Sequence, residues 1–176
     1  MKAVQWALAF LGIAALALVG TGFLLPSHFE LQRSIVINAP ASKVYDLVSA
    51  PKQWAQWGPW AQRDPDMKIT HFGPPFGQGA KWSWVSKSEG SGVMEFTRVE
   101  PDRLIEYSLL FPNYAMKFKG AFRFEPAANA TRVTWSSEGD VGGNPLRHYL
   151  VLMVDRFAGP DFELGLANLK ALAEKP

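Results

Sequence analysis

The chain has 176 residues, a length that fits one globular domain with a short additional segment. Hydrophobic residues make up 48% and charged residues 19% of it, which is ordinary for a folded domain. A formal net charge of +2 with scattered basic residues argues against a nucleic-acid-binding protein. The absence of cysteine excludes disulfides and thiolate metal sites.

The first predicted element is an apolar helix over residues 3–25, where Gln5 and Thr21 are the clearly polar residues and no residue is charged. At about 1.5 Å per residue this segment extends to roughly 34 Å, enough to cross a bilayer core of about 30 Å. Residues 1–26 are therefore predicted to form a transmembrane anchor. The alternatives are a signal peptide cleaved near Gly20–Gly22 and a buried core helix.

The basic residue at the N-terminus gives the anchor a direction. Lys2 and the N-terminal amine favour a cytoplasmic N-terminus. This predicts a single-pass membrane protein whose soluble domain is extracytoplasmic, in the periplasm. One or two charges determine the orientation only weakly.

Residues 28–176 have the pattern of one α+β domain. A β-rich segment predicts a first strand at 29–37, and short helical segments follow at 40–48 and 51–60. Short turns separate the next apolar segments, which therefore predict antiparallel strands. These six strands are predicted at 67–72, 81–86, 92–99, 104–111, 114–124 and 131–138.

A long apolar helix is predicted over residues 144–175. Asn144 is a suitable N-cap and Pro145 suits the first helical position. Pro160 lacks the N–H that would bond to the carbonyl of Arg156, so we expect a kink or break there. The domain is thus predicted to be an α+β fold in which a curved antiparallel sheet wraps around the long C-terminal helix.

Alternation along the strands separates an apolar face from a polar one. The apolar face, together with the first half of the last helix, predicts a cavity for a hydrophobic small molecule or lipid. The predicted ligand-binding residues are Trp82, Trp84, Phe96, Tyr107, Met116, Phe118, Phe122, Trp135, Tyr149, Met153 and Phe157. Polar contacts are expected from Tyr107 and from whichever of Asp155 and Arg156 faces inward, with Arg98 as a further inward-facing candidate. The alternative is that these side chains simply fill the core.

Catalytic and metal-binding patterns are sparse. None of His28, His71 and His148 has a partner at metal-ligand spacing, so we expect neither a metal site nor a cofactor. No obvious general acid–base pair is present, and whether the protein is an enzyme stays uncertain. The 73–77 segment, GPPFG, is predicted to form a loop at the cavity mouth.

Several segments resemble one known superfamily. The segment RSIVINAPASKVYDLVSAPKQWAQWGPW is similar to the opening of START-like domains, grouped with polyketide cyclases, dehydrases and lipid-transfer proteins and also called SRPBCC or helix-grip proteins. The segments GQGAKWSW, GAFRFEP followed by TRVTW, and GPDFELGLANLK resemble its short membrane-anchored members. The resemblance implies the fold but no catalytic residue, since the superfamily has no shared catalytic signature.

Three functions are compatible with these observations. The first is membrane-tethered binding or transport of a hydrophobic small molecule or lipid. The second is a polyketide cyclase or dehydratase activity, which the resemblance implies. The third is a protein-interaction module related to the chaperone co-factors of the superfamily.

Overall fold

The computed structural model describes residues 2–175 and shows the α+β architecture that the sequence predicts. The helices are α1 (Lys2–Gly22), α2 (Ala41–Ser49), α3 (Trp54–Trp57), α4 (Pro59–Arg63), α5 (Pro145–Val151) and α6 (Val154–Ala173). The strands are β1 (His28–Ile37), β2 (Lys68–Phe72), β3 (Lys81–Val85), β4 (Ser91–Glu100), β5 (Leu104–Phe111), β6 (Met116–Ala127) and β7 (Ala130–Asp140).

The strands form a single antiparallel sheet in the order β1-β7-β6-β5-β4-β3-β2. Short turns join consecutive strands from β3 to β7, the 73–80 loop joins β2 to β3, and β1 pairs with β7 at the far edge. Helix α6 packs across β1 and β7, and α2, α3 and α4 pack beside it. This is the helix-grip arrangement, and the expectation of a sheet wrapped on the last helix is confirmed.

Aromatic side chains form the centre of the core. The Trp135 ring stacks on Phe162 with 4.0 Å between centroids, and on Phe122 with 4.8 Å. Trp54 packs edge-on against both Phe122 and Trp135, and its indole N–H donates to the carbonyl of Val48 at 2.8 Å. The N–H of this buried indole is therefore hydrogen-bonded, as burial of a polar group requires.

The C-terminal helix is divided, but not where the sequence predicts. Asn144 caps α5 as expected, accepting from the N–H of Leu146 at 3.0 Å. The break falls at residues 152–153, because α5 packs against α1 whereas α6 packs against the sheet. Pro160 lies inside α6. Arg156 and Pro160 are both exposed, so the interrupted turn lies on the solvent side of the helix, where the loss of one backbone hydrogen bond is tolerated.

Two strand expectations are also corrected. Tyr114 precedes β6 in a short 3-10 turn and is 60% exposed, because Ala115 with φ of 50° reverses the chain before the strand begins. The predicted inward position of Arg98 is wrong. A bulge in β4 shifts the alternation, so Val99 faces inward and the Arg98 side chain points outward to Glu106.

Helix α1 protrudes from the domain. Gly22 is its buried residue, and the apolar side chains before it are exposed. Among residues 2–175, α1 is the helix that is long and apolar enough to cross a membrane, a test that a signal sequence also passes.

Candidate functional site

A cavity of about 450 Å³ lies between the inner face of the sheet and the helices. Its volume falls within the range of about 300–1,000 Å³ that is typical of small-molecule sites. All seven strands contribute to its wall, α3 and α4 cover one part, and α5 and α6 form the opposite side. Most of the lining is aliphatic or aromatic; its ionisable and hydroxyl side chains are Lys52, His71, Glu89, Tyr107, Ser137 and Asp161.

Three glycines allow aromatic rings of the wall to lie flat against the sheet. The cross-strand pairs are Trp84 with Gly92, Tyr107 with Gly120, and Phe118 with Gly139. In each pair a Cβ on the glycine would lie 2.2 Å from the aromatic side chain, which is closer than atoms can approach. Because the rings cover backbone, they leave the space above it open, and this space is the cavity.

The Tyr107 hydroxyl is hydrogen-bonded within the wall. It accepts from the Trp135 indole N–H at 2.9 Å and donates to the carbonyl of Ser136 at 3.2 Å. Burial raises the pKa of Tyr107 well above its ordinary value, although the Trp135 hydrogen bond acts in the opposite direction. The phenol therefore stays protonated at neutral pH, and its polar groups are already paired before any ligand arrives.

A charged cluster closes the rim between α4, α6 and the β3–β4 hairpin. Arg63 pairs with Glu89 at 2.8 Å and with Asp161 at 2.9 Å, and the Trp60 indole N–H donates to Asp161 at 3.0 Å. The two carboxylate side chains are only 17% and 18% exposed. Since one guanidinium holds both carboxylates, the cluster is suited to fixing the rim rather than to moving protons.

A smaller cavity of about 220 Å³ adjoins the main one. Both are lined by Lys52 and His71, and the 73–75 segment lines the smaller one. The 73–77 loop, which is predicted to lie at the mouth of the main cavity, therefore borders the smaller cavity beside it. The Gly77 N–H anchors this loop by donating to the carbonyl of Ser49 at 2.9 Å. Burial and the nearby Lys52 charge lower the pKa of His71, so its ring is neutral at neutral pH. Within residues 2–175, no three His, Asp or Glu side chains are grouped to hold a metal ion.

Eight of the eleven predicted ligand-binding residues line the cavity: Trp82, Trp84, Tyr107, Met116, Phe118, Trp135, Met153 and Phe157. Phe96 and Phe122 are fully buried in the core and do not line it. Tyr149 contacts α1 instead, where its hydroxyl donates to the carbonyl of Leu18 at 2.8 Å. The ligand-binding role of these residues stays a prediction.

Helix α6 presents a polar side chain to the cavity, but it is neither Asp155 nor Arg156, the two residues that the sequence predicts. Asp155 pairs with Arg33 of β1 at 2.7 Å, and Arg156 is exposed. Asp161 lines the cavity instead. Residues 154, 158 and 161 share one face of the helix, and residues 155 and 156 point away from that face.

Sequence reasoning missed the contribution of the short helices. Trp54 and Trp60 line the cavity, and Trp57 lies between them in the core. Their three-residue spacing is a helical pattern and is the signal that could have identified them. Glu89 lies in a turn between strands, where no periodicity reveals the direction of a side chain.

The comparison with protein families agrees with this geometry. The sequence model of the family described as "Polyketide cyclase / dehydrase and lipid transport" matches residues 28–174. The chain belongs to this family. The match to the polyketide cyclase/dehydrase and lipid transport family begins at β1 and extends beyond α6, so it covers the whole helix-grip domain and leaves α1 outside. The domain thus has the hydrophobic-ligand-binding fold of the SRPBCC superfamily.

Solved structures show the same fold at low identity. A protein from Thermobifida fusca matches with a TM-score of 0.62 and 20% identity, over 80% of this chain and 90% of that one. Truncated norcoclaurine synthase from Thalictrum flavum matches with a TM-score of 0.61 and 14% identity, over 85% of this chain and 96% of that one. The Aha1 dimer from Colwellia psychrerythraea matches with a TM-score of 0.57 and 17% identity, over 82% of this chain and 96% of that one. No curated protein matches the sequence.

Proposed function

We propose that the protein is a membrane-tethered binding or transfer protein for a hydrophobic small molecule or lipid, held in the cavity between the sheet and α6. The observation that carries this proposal is the cavity of about 450 Å³, whose wall is aromatic and aliphatic. The family to which the chain belongs includes lipid transport in its description. Helix α1 supplies the tether.

The chemistry of the wall supports an apolar class of ligand. The Tyr107 hydroxyl and the rim carboxylates of Glu89 and Asp161 are already hydrogen-bonded or ion-paired. A ligand with a long-chain or polycyclic apolar body matches this lining, because such a body demands no polar partner. Burying about 300 Å² of it at roughly 25 cal/mol per Å² offers about 7 kcal/mol before ordering costs, so we expect an affinity that is micromolar at the tightest.

Photolabelling of the full chain in lipid nanodiscs tests the proposal. The probe is a long-chain alcohol with a diazirine on its alkyl chain, and labelled peptides are mapped by mass spectrometry. We expect labels on β5 and β6, in the cavity wall, as well as on α1. Labels confined to α1 in the wild-type protein would refute the proposal.

Two substitutions on α6 provide a matched comparison. Ala158 lines the cavity, so Ala158→Phe occupies the space and should abolish labelling of β5 and β6. Ala167 is exposed on the same helix, so Ala167→Phe should leave labelling unchanged. Labelling of α1 is the internal reference for both. Chemical conversion of a bound ligand would favour the alternative cyclase or dehydratase function.

A further inference from the structure

We propose that the α5–α6 corner, residues 150–153, inserts into the membrane that α1 spans, and that the cavity opens there directly into the bilayer. The inference rests on the proposed function, since it gives the route by which a membrane-dissolved ligand reaches the cavity. It assigns the corner as a lipid-facing portal.

The first observation is an exposed apolar surface at the corner. Leu150 is 50% exposed, Leu152 59%, Met153 41% and Phe157 66%. No residue from 149 to 154 is charged. A contiguous apolar surface of this kind marks an interaction site, because water solvates it poorly.

The second observation is the direction of α5 relative to α1. The start of α5 lies at the end of α1, where a Cβ on Gly22 would clash with Pro145. One turn later, Tyr149 reaches back to the carbonyl of Leu18. The two helices are therefore antiparallel, and α5 runs back along α1 toward the membrane.

Helix geometry then gives the depth of the corner. Leu18 lies four residues before Gly22, or about 6 Å along the helix axis at 1.5 Å per residue. Leu152 lies three residues beyond Tyr149, or about 4.5 Å further. The corner thus lies on the order of 10 Å from Gly22 toward the bilayer, comparable to the depth of about 5–10 Å reached by interfacial helices.

A buried histidine holds this arrangement in place. His148 lies with Nδ1 2.8 Å from the carbonyl oxygen of Gly22 and Nε2 2.9 Å from that of Gly142. A carbonyl oxygen only accepts, so the neutral ring donates to one of them and the protonated ring to both. The contact ties the end of α1 to the loop that precedes α5.

The third observation connects the exposed surface to the cavity. Leu150, Met153 and Phe157 are exposed, and each of them also lines the cavity. The apolar surface is therefore continuous from the cavity interior to the corner. An apolar molecule dissolved in the bilayer can pass along it without contacting water.

The charges around the corner suit a lipid headgroup layer. Arg147 precedes the apolar segment and Arg156 follows it. Asp155 is the nearest acidic residue in the sequence, and its charge is compensated by Arg33 at 2.7 Å. Two arginines that flank an apolar segment suit the headgroup layer, because their apolar stems can lie in it while the guanidinium groups stay in contact with water and lipid phosphates.

Fluorescence quenching measures the depth of the corner. Because the chain has no cysteine, Leu152→Cys and Leu164→Cys each give a single site for the environment-sensitive dye NBD. Leu164 is a matched control, 47% exposed on α6 but outside the corner. In phosphatidylcholine vesicles we expect acyl-chain spin labels to quench the dye at 152, and aqueous iodide to quench it at 164.

Other quenching results overturn the proposal. Quenching of both positions by iodide alone would show that the corner faces water. Shielding of position 152 from both quenchers, together with a dimer in detergent, would show that a second copy covers the corner instead.

Uptake from the bilayer separates the portal from the binding function. Leu152→Asp should slow photolabelling of β5 and β6 on the order of tenfold, because a carboxylate resists transfer into hydrocarbon. Leu164→Asp should leave the rate unchanged. Equal rates in the two variants would exclude the portal while leaving ligand binding intact. Absence of cavity labelling in the wild-type protein would instead remove the proposed function.

Discussion

At the scale of single residues, the depth of the cavity depends on glycines that lie beneath aromatic rings. Gly120 is the test case, because a Cβ there would lie 2.2 Å from the Tyr107 side chain and 2.5 Å from the Ser136 carbonyl oxygen. Gly120→Ala should therefore destabilise the protein by about 1–3 kcal/mol, as overpacking does. Chemical denaturation of the full chain in detergent measures this. Gly143→Ala, where nothing lies within 4 Å, is the control, and equal midpoints would contradict the close packing.

The central tryptophan should contribute more to stability than any rim residue. Trp135 is 1% exposed and stacks between Phe122 and Phe162. We expect Trp135→Ala to lower the free energy of unfolding by about 3–5 kcal/mol, since it removes buried apolar surface and leaves a hole. Phe76→Ala, at a position that is 65% exposed, should change little. A midpoint shift no larger than that of Phe76→Ala would show that the space around Trp135 collapses or is not tightly packed.

At the scale of elements, local patterns determine most of the fold but not where packing partners change. Alternation in β6 correctly separates Phe122 and Phe124 from Arg123. The same rule fails for Arg98, because a bulge adds one residue to β4 and no residue type announces it. Pro160 predicts a break in the helix, but α6 continues through this exposed position. The break at residues 152–153 instead reflects the packing of α5 against α1, which lies more than 120 residues earlier in the chain.

The junction between β7 and β1 has a pH dependence. The Gly142 N–H and the Ser27 hydroxyl donate to Asp140 and hold its pKa below its ordinary 3.8. A lowered folded-state pKa gives stability that is present above the unfolded pKa and is lost as pH falls through the folded one. Asp140→Asn should therefore destabilise the protein at about pH 7, and the difference should shrink as the pH falls from there through the folded-state pKa.

Thermal unfolding across this pH range checks the prediction. Asp66→Asn, which removes a carboxylate from an exposed turn, serves as the control for the change in charge alone. A difference between Asp140→Asn and the wild-type protein that stays constant with pH would mean that the carboxylate charge is not involved.

At the scale of the whole molecule, the sequence predicts well which apolar side chains point inward. It predicts less well which of these side chains line the cavity and which fill the core. Trp82 and Phe96 look alike by alternation, yet Trp82 lines the cavity while Phe96 lies entirely in the core. Tyr149 belongs to the expected helix face, but α1 occupies that side. Such distinctions depend on contacts between distant segments, which periodicity within one element cannot contain.

The protein is tethered to the membrane only if α1 is not cleaved from the mature chain. We expect the full chain to stay in the membrane pellet after alkaline carbonate extraction, with an intact mass that includes residues 2–25. A charge at the helix centre costs about 2.5–3.5 kcal/mol in the bilayer, so Leu11→Arg should weaken insertion and release protein into the supernatant. Leu164→Arg, a matched change on α6, should not. Release of the wild-type chain, or a mature N-terminus near Phe23, would show that α1 is a cleaved signal.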